Sequence, residues 1–379
     1  MNIKSLILGS ATVALATAGA QAADAIVIAE PEPVEYVRVC DVYGAGFFYI
    51  PGTETCLKIG GEFRHQIGSS ESIGGLTGLG NYHALQDDRW NSTSRVRVVF
   101  DARSETEYGT LQGYARLQFD RNDTVSSSNT LNHGWLSLGG FRAGWTDSAW
   151  VSTPQGGRAA GGSHSDSGFF YGYHQTHLVQ YNFAGSNGFF GTISAEFDDA
   201  GITTNYTPDF VGVVGINQGW GAAWLKVGFD EEINVLGDSG FGVTAGLHYN
   251  IAGAPGSSFR LLGYYADSAN KYSVFNGTGF GPAGINLGGP EWSIMASYYH
   301  QFNAQFGASL AVQYFGDLYA GPGSDVSTGI DGWALELNTV WTPVENFVVR
   351  GKLVYNQFDL PAGIDDDSVS GFIRFSRFF

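Results

Sequence analysis

From residue 57 to the C-terminus, apolar and polar positions alternate in short runs with a period of two. In Leu57–Ile67, Leu57, Ile59, Phe63 and Ile67 share one side of an extended strand, against Lys58, Glu62, Arg64 and Gln66 on the other. Arg95–Arg103 sets Val96, Val98, Phe100 and Ala102 against Arg95, Arg97, Asp101 and Arg103. Leu111–Phe119 sets Leu111, Ala115, Leu117 and Phe119 against Gln112, Tyr114, Arg116 and Gln118. Successive strand side chains point to opposite faces, so these runs predict strands whose two faces meet different media. The last run, Ser368–Phe379, carries Val369, Ile373, Phe375 and Phe379 on one face and Ser370, Arg374 and Ser376 on the other. Chain ends usually fray into water, so aromatics that reach the terminal carboxylate call for another surrounding. The pattern predicts a transmembrane barrel that this run closes against Leu57–Ile67. Arg374 then faces inward beside Lys58 and Arg64, and Phe375 and Phe379 face outward. Arg377 also falls on the outward phase, near the rim, where its stem can snorkel to headgroups.

The same grammar continues through Thr130–Leu138, Phe141–Thr146, His174–Phe183, Phe189–Phe197, Asp209–Asn217, Trp220–Phe229, Phe241–Asn250, Phe259–Ala266, Trp292–Phe302, Phe306–Phe315, Trp333–Trp341 and Phe347–Phe358. The strand total is about sixteen, an even number within the range of bacterial barrels. Short links such as Gly139-Gly140 and Gln218-Gly219 alternate strictly with long polar stretches such as 68–91, 147–172 and 267–290. Short periplasmic turns and long external loops alternate in this way in outer-membrane barrels, and the longest loops exceed what an ordinary sandwich hairpin uses.

Composition sharpens this picture. Of 379 residues, 15% are aromatic and 15% charged, with Gly 55 and Met 2, a mix that favours strands, tight turns and aromatic girdles over helices. The formal net charge of -17 speaks against a nucleic-acid partner, which needs a basic face. Past the N-terminus no apolar run is long enough for a spanning helix, so a membrane must be crossed by a closed barrel. At the N-terminus, Lys4, the apolar stretch Leu6–Ala18 and Ala20-Gln21-Ala22 predict a signal peptide over 1–22, cleaved after Ala22. Residues 23–55 then read as a periplasmic N-terminal segment and 56–379 as the barrel. In an exported chain the two cysteines, Cys40 and Cys56, favour a disulfide over a metal half-site or free thiols. Such a link contributes roughly 3 kcal/mol in the chain-entropy account.

Catalytic signals are weak. His174 and His177 point to opposite faces if they lie on a strand. Asp365-Asp366-Asp367 reads as a solvated loop rather than a cation site. Neither a G-x-S-x-G elbow nor a phosphate-cradling loop occurs, and no cofactor or metal is expected. The charged positions are more telling. Lys58, Arg64, Arg95, Arg97, Arg103 and Arg116 all fall on the polar faces of the first three strands. Charge facing lipid at mid-depth costs roughly 2–4 kcal/mol, so these faces look into the lumen and gather a basic wall. Glu62 and Asp101 offset part of it. The long loop after the fifth strand, with Asp147, Arg158, His164 and Asp166, is the natural facing element, although it is thin in acids.

Two stretches carry a family resemblance: 29–40, AEPEPVEYVRVC, and 44–57, GAGFFYIPGTETCL. Asp101-Ala102-Arg103, Glu107-Tyr108-Gly109-Thr110-Leu111, Leu138-Gly139-Gly140-Phe141 and Tyr206-Thr207-Pro208-Asp209 add to them. The chain resembles the alphaproteobacterial porins of the Brucella and Rhizobium type. The resemblance implies an all-β, 16-stranded antiparallel transmembrane β-barrel in the bacterial outer membrane, assembled as a homotrimer among lipid and lipopolysaccharide. It implies passive diffusion of small hydrophilic solutes, without a reaction. In general porins the third loop folds inward and narrows the pore, so an arginine wall facing loop carboxylates would sort solutes by size and charge. A sugar- or oligosaccharide-selective porin is the near alternative, and a barrel enzyme the distant one.

Overall fold

The computed structural model describes residues 38–70, 90–122, 127–157, 161–166, 169–197, 206–234, 236–277, 287–361 and 367–379. The leader expected at 1–22, Arg158, Asp365 and Asp366 lie outside the described residues.

Every alternating run forms a strand where the pattern puts it. After a short β1 (Phe47–Tyr49) come β2 (Cys56–Ser70), β3 (Trp90–Thr106), β4 (Gly109–Asn122), β5 (Ser128–Leu138), β6 (Phe141–Asp147), β7 (Gln175–Ala184), β8 (Phe189–Phe197) and β9 (Asp209–Gln218). The chain continues with β10 (Gly221–Asp230), β11 (Gly240–Asn250), β12 (Ser258–Ala266), β13 (Pro290–Gln301), β14 (Phe306–Leu318), β15 (Gly332–Val344), β16 (Phe347–Phe358) and β17 (Asp367–Phe378). From β2 onward each strand pairs antiparallel with its sequence neighbours, and β17 returns to β2 with Ile373 opposite Ile67 and Phe375 opposite His65. The result is a closed 16-strand antiparallel barrel. Closure leaves no edge strand in the ring, which lipid demands. Pairing runs to the last residue: Gly61 and Phe379 exchange backbone bonds of 3.0 and 3.2 Å.

Local chemistry sets the turns. Gly139 takes φ 57°, and a Cβ on Gly140 would come within 2.4 Å of the Asn182 carbonyl oxygen. Two adjacent glycines therefore let β5 reverse into β6 against β7. Outside, aliphatic side chains such as Ile193, Leu225, Leu261, Ile294, Leu310 and Leu337 form an exposed belt. Aromatics flank it at both rims, with Trp220, Phe302 and Trp341 near the short turns and Phe229, Tyr265 and Trp292 near the long loops. This is the lipid-facing surface of a membrane barrel.

Cys40 and Cys56 form the disulfide, with Cα atoms 6.0 Å apart. Because β17 ends opposite Glu62, the first residues of β2 keep a free edge, and β1 takes it, with Phe47 opposite Lys58 and Tyr49 opposite Cys56. Part of the expected N-terminal segment thus extends the barrel's own sheet. A three-residue strand carries no periodic signal, which is why the alternation does not reveal it.

The apolar core lies inside the barrel. Ala149, Trp150, Val151 and Phe169 from the segment after β6, with Tyr272, Val274 and Phe275 from the segment after β12, bury Phe190, Trp224, Leu262, Met295, Phe315 and Phe358 of the inner wall. The inner faces of β2–β6 contribute nothing to this cluster.

Candidate functional site

The register gathers the basic side chains on the inner faces of β2, β3 and β4. Across β2 and β3, Lys58 stands opposite Asp101, Glu62 opposite Arg97 and Arg64 opposite Arg95. Across β3 and β4, Arg95 meets Asp120, Arg97 meets Gln118 and Arg103 meets Gln112. Two arginines directly opposite repel, so carboxylates must intervene. Arg64 Nε donates to Glu62 Oε1 at 2.7 Å and Arg95 Nε to Asp120 Oδ1 at 2.6 Å. Glu62 also serves Arg97 Nη1 at 3.5 Å, while Arg97 Nε donates to Gln118 at 2.8 Å. Arg116 binds Asn132 and His133 rather than a carboxylate. Cations outnumber carboxylates on this wall, and its arginines stay partly solvated, with 20% of the Arg97 side chain and 24% of the Arg95 side chain exposed.

Lys58 and Arg103 belong to the same face but to the short-turn end. Lys58 Nζ donates to the Ala45 carbonyl at 3.2 Å, and the Arg103 guanidinium lies 5.1 Å from the Phe47 ring centre while pairing with Asp101 at 2.6 Å. They hold the N-terminal segment rather than join Arg64, Arg95, Arg97 and Arg116 deeper in the barrel.

The segment after β6 crosses to the opposite wall. Ser148 Oγ and the Ala149 N–H donate to Glu196 on β8 at 2.9 and 3.0 Å. Lys226 on β10 donates to the Trp150 carbonyl at 2.7 Å, and Arg260 on β12 to the Ser163 carbonyl at 2.8 Å. His164 sits with its ring nitrogens 2.7 Å from Ser297 Oγ and 2.9 Å from Ser258 Oγ. Ser163 and Ser165 donate to the two oxygens of Glu336 on β15, at 2.6 and 2.8 Å. Asp166 pairs with Arg374 on β17 and lies 3.5 Å from Arg350 on β16. Burial by itself pushes the Asp166 carboxyl up, but the guanidiniums of Arg350 and Arg374 outweigh it and hold the group below its ordinary range. Arg374 also donates to Gln66 on β2 at 2.7 Å, so Asp166 reaches the margin of the basic wall.

Asp147 differs from its expected place. It is the last residue of β6 and accepts from Tyr173 and Gln175, both at 3.1 Å, so it belongs to the wall rather than to the crossing segment. His174 and His177 do face opposite sides, His174 buried beside Glu196 at 3.7 Å and His177 exposed against Trp145. Asp120, Arg350, Glu196, Lys226, Arg260 and Glu336 went unnoticed in the sequence. A phase count over every strand flags them as inward polar residues, but nothing local says which of them the third loop covers.

The family model described as "Porin subfamily" matches residues 24–370. The chain belongs to the porin family. Among porins it is 35% identical to porin Omp2a of Brucella suis biovar 1 and 31% identical to porin Omp2b of the same organism, with 100% of each chain covered. Its fold matches the outer membrane channel DcaP of Acinetobacter baumannii with TM-score 0.63 at 14% identity, over 86% of this chain and 99% of that one. The anion-selective porin from Comamonas acidovorans matches with TM-score 0.53 at 14% identity, over 86% and 100%. This porin is therefore an outer-membrane diffusion channel.

Proposed function

We propose that small hydrophilic solutes pass by passive diffusion between the arginine wall of β2–β4 and the third loop, with anions favoured over cations. The carrying observation is an imbalance. The wall keeps partly solvated arginines in excess of acids, while the one acid the described part of the facing loop sends toward it, Asp166, is already paired with two arginines. An excess of fixed positive charge beside a water path concentrates anions. The solute gradient drives transport, with no chemical step. A sugar-selective slide needs open aromatic faces in the lumen, and the inward Trp135 has both flanking strands over its ring, through Arg142 and Tyr114.

The protein would work as a homotrimer. At 7 residues β6 is shorter than the roughly 9–11 a spanning strand uses. Nearby, His65, Ser94 and Arg121 form one polar row on the outward face of β2–β4. Lipid serves such a surface badly, and a second copy of the chain serves it well.

Planar-bilayer recording tests the channel. Conductance steps are expected, with a reversal potential in a KCl gradient on the anion side, and replacing Arg95 and Arg97 with Gln should shift it toward cations. Unchanged selectivity would overturn the arginine wall as the filter, and silence at every voltage would overturn the channel.

A further inference from the structure

We propose that Arg142 forms an oxyanion-binding subsite at the short-turn mouth of the lumen, where it takes the carboxylate or phosphate group of a passing solute. The proposal rests on the lumen being the solute path.

Arg142 is the second residue of β6, directly after the Gly139-Gly140 turn, and pairs with Ser137 of β5 and Gln180 of β7. It shares the inward face with Trp135, two residues from Ser137 on β5, and with Tyr114, which stands opposite Trp135 on β4. Its guanidinium carbon lies 3.9 Å from the centre of the Trp135 ring, and Tyr114 stacks on the same indole at 5.0 Å and 15°. A guanidinium held this close over an indole face is attracted to the ring's negative face and kept in place.

What distinguishes Arg142 from the wall arginines is that it has neither a carboxylate nor a hydrogen-bonding side chain as partner among the described residues. Arg64, Arg95, Arg97 and Arg103 each have a carboxylate, and Arg116 has the amide of Asn132 and the ring of His133. Arg142 makes no ion pair with any described residue, and its Nε is shut off from solvent without a hydrogen-bond partner. Its cross-strand neighbour on β7 is committed elsewhere: Gln180 donates to Asn182 at 3.0 Å. With Nε buried, the donors left for a solute are the two outer guanidinium nitrogens, which have no hydrogen-bond partner among the described residues. A pair of N–H donors suits a bidentate oxyanion better than chloride, which offers no second oxygen. The position adds direction. A solute entering from the long-loop side meets Arg142 after the arginine wall, so the subsite would hold oxyanions at the periplasmic exit.

Conductance against salt concentration in planar bilayers tests this, with KCl, potassium acetate and potassium phosphate as the three probes. For the unmodified channel, conductance should rise linearly in KCl and saturate in at least one oxyanion salt. Saturation in acetate alone assigns a carboxylate, and in phosphate alone a phosphate. Arg142→Gln should raise the half-saturating concentration severalfold. Trp135→Leu, which keeps the cation but removes its support, should shift it the same way by less, and serves if Arg142→Gln fails to fold. Linear behaviour in both oxyanion salts, or saturation that neither substitution moves, overturns the subsite while KCl steps leave the channel standing. Absence of steps in every salt would instead remove the channel reading on which the subsite rests.

Discussion

At the scale of single residues, Asp166 governs how firmly the third loop meets the wall. Its carboxyl is held below the ordinary range because the attraction of Arg350 and Arg374 exceeds the penalty of burial. A depressed carboxyl stabilises the docked loop fully above the unfolded value, and that stabilisation is lost as pH falls through the folded value. Single-channel records should therefore stay quiet at neutral pH and gain flicker in acid, below the usual carboxylate range. Asp166→Asn should flicker at neutral pH and respond little to acid. A quiet Asp166→Asn channel with the normal acid response would refute this role. Asp166 itself was legible as a loop acid, whereas its partners were not. Arg350 and Arg374 stand nearly two hundred residues or more further along the chain, and only the closed ring brings them to it.

At the scale of elements, the third loop behaves as a docked strap. Several of its hydroxyls, carbonyls and backbone N–H groups find partners on β8, β10, β12, β13 and β15, which ties it to the barrel interior. Glu336 is the densest anchor, 1% exposed, accepting from Ser163 and Ser165 and pairing with Lys352 at 2.7 Å. Glu336→Gln should cost about 1–3 kcal/mol through imperfectly satisfied buried donors. The expected readout is a larger, noisier unit conductance from a protein whose barrel still resists unfolding in detergent. Normal conductance with a lowered melting temperature would make Glu336 a stability residue alone. Element existence and phase were legible because alternation is local, as the match of Ser368–Phe379 to β17 shows. The strap was legible only as a long polar stretch, since serines and glycines show no periodicity that names their partners.

At the scale of the whole molecule, the two sides of the barrel differ. Loops and apolar core fill the space against β8–β16, leaving the inner faces of β2–β6 outside that core, and the short β6 lies on the same side as the outward polar row. The trimer reading places protomer contacts there. A cysteine replacing Ser94 should cross-link copies of the chain in the membrane, while one replacing Leu310, on the aliphatic belt of β14, should not. The reverse pattern would put the contact elsewhere on the ring.

The sequence by itself determined the strands, their inward and outward phases, the closure of the last strand on the first long one, and the basic composition of one wall. All of these follow from a period of two and from the price of charge in lipid, both readable a few residues at a time. Only the tertiary structure decided which inward residues face water. Lys226 and Glu336 are as polar and as inward as Arg95 and Arg97, yet they are 1% exposed because the third loop lies across them. The path of that loop depends on partners scattered from β8 to β17, which adjoin it only after the ring has closed.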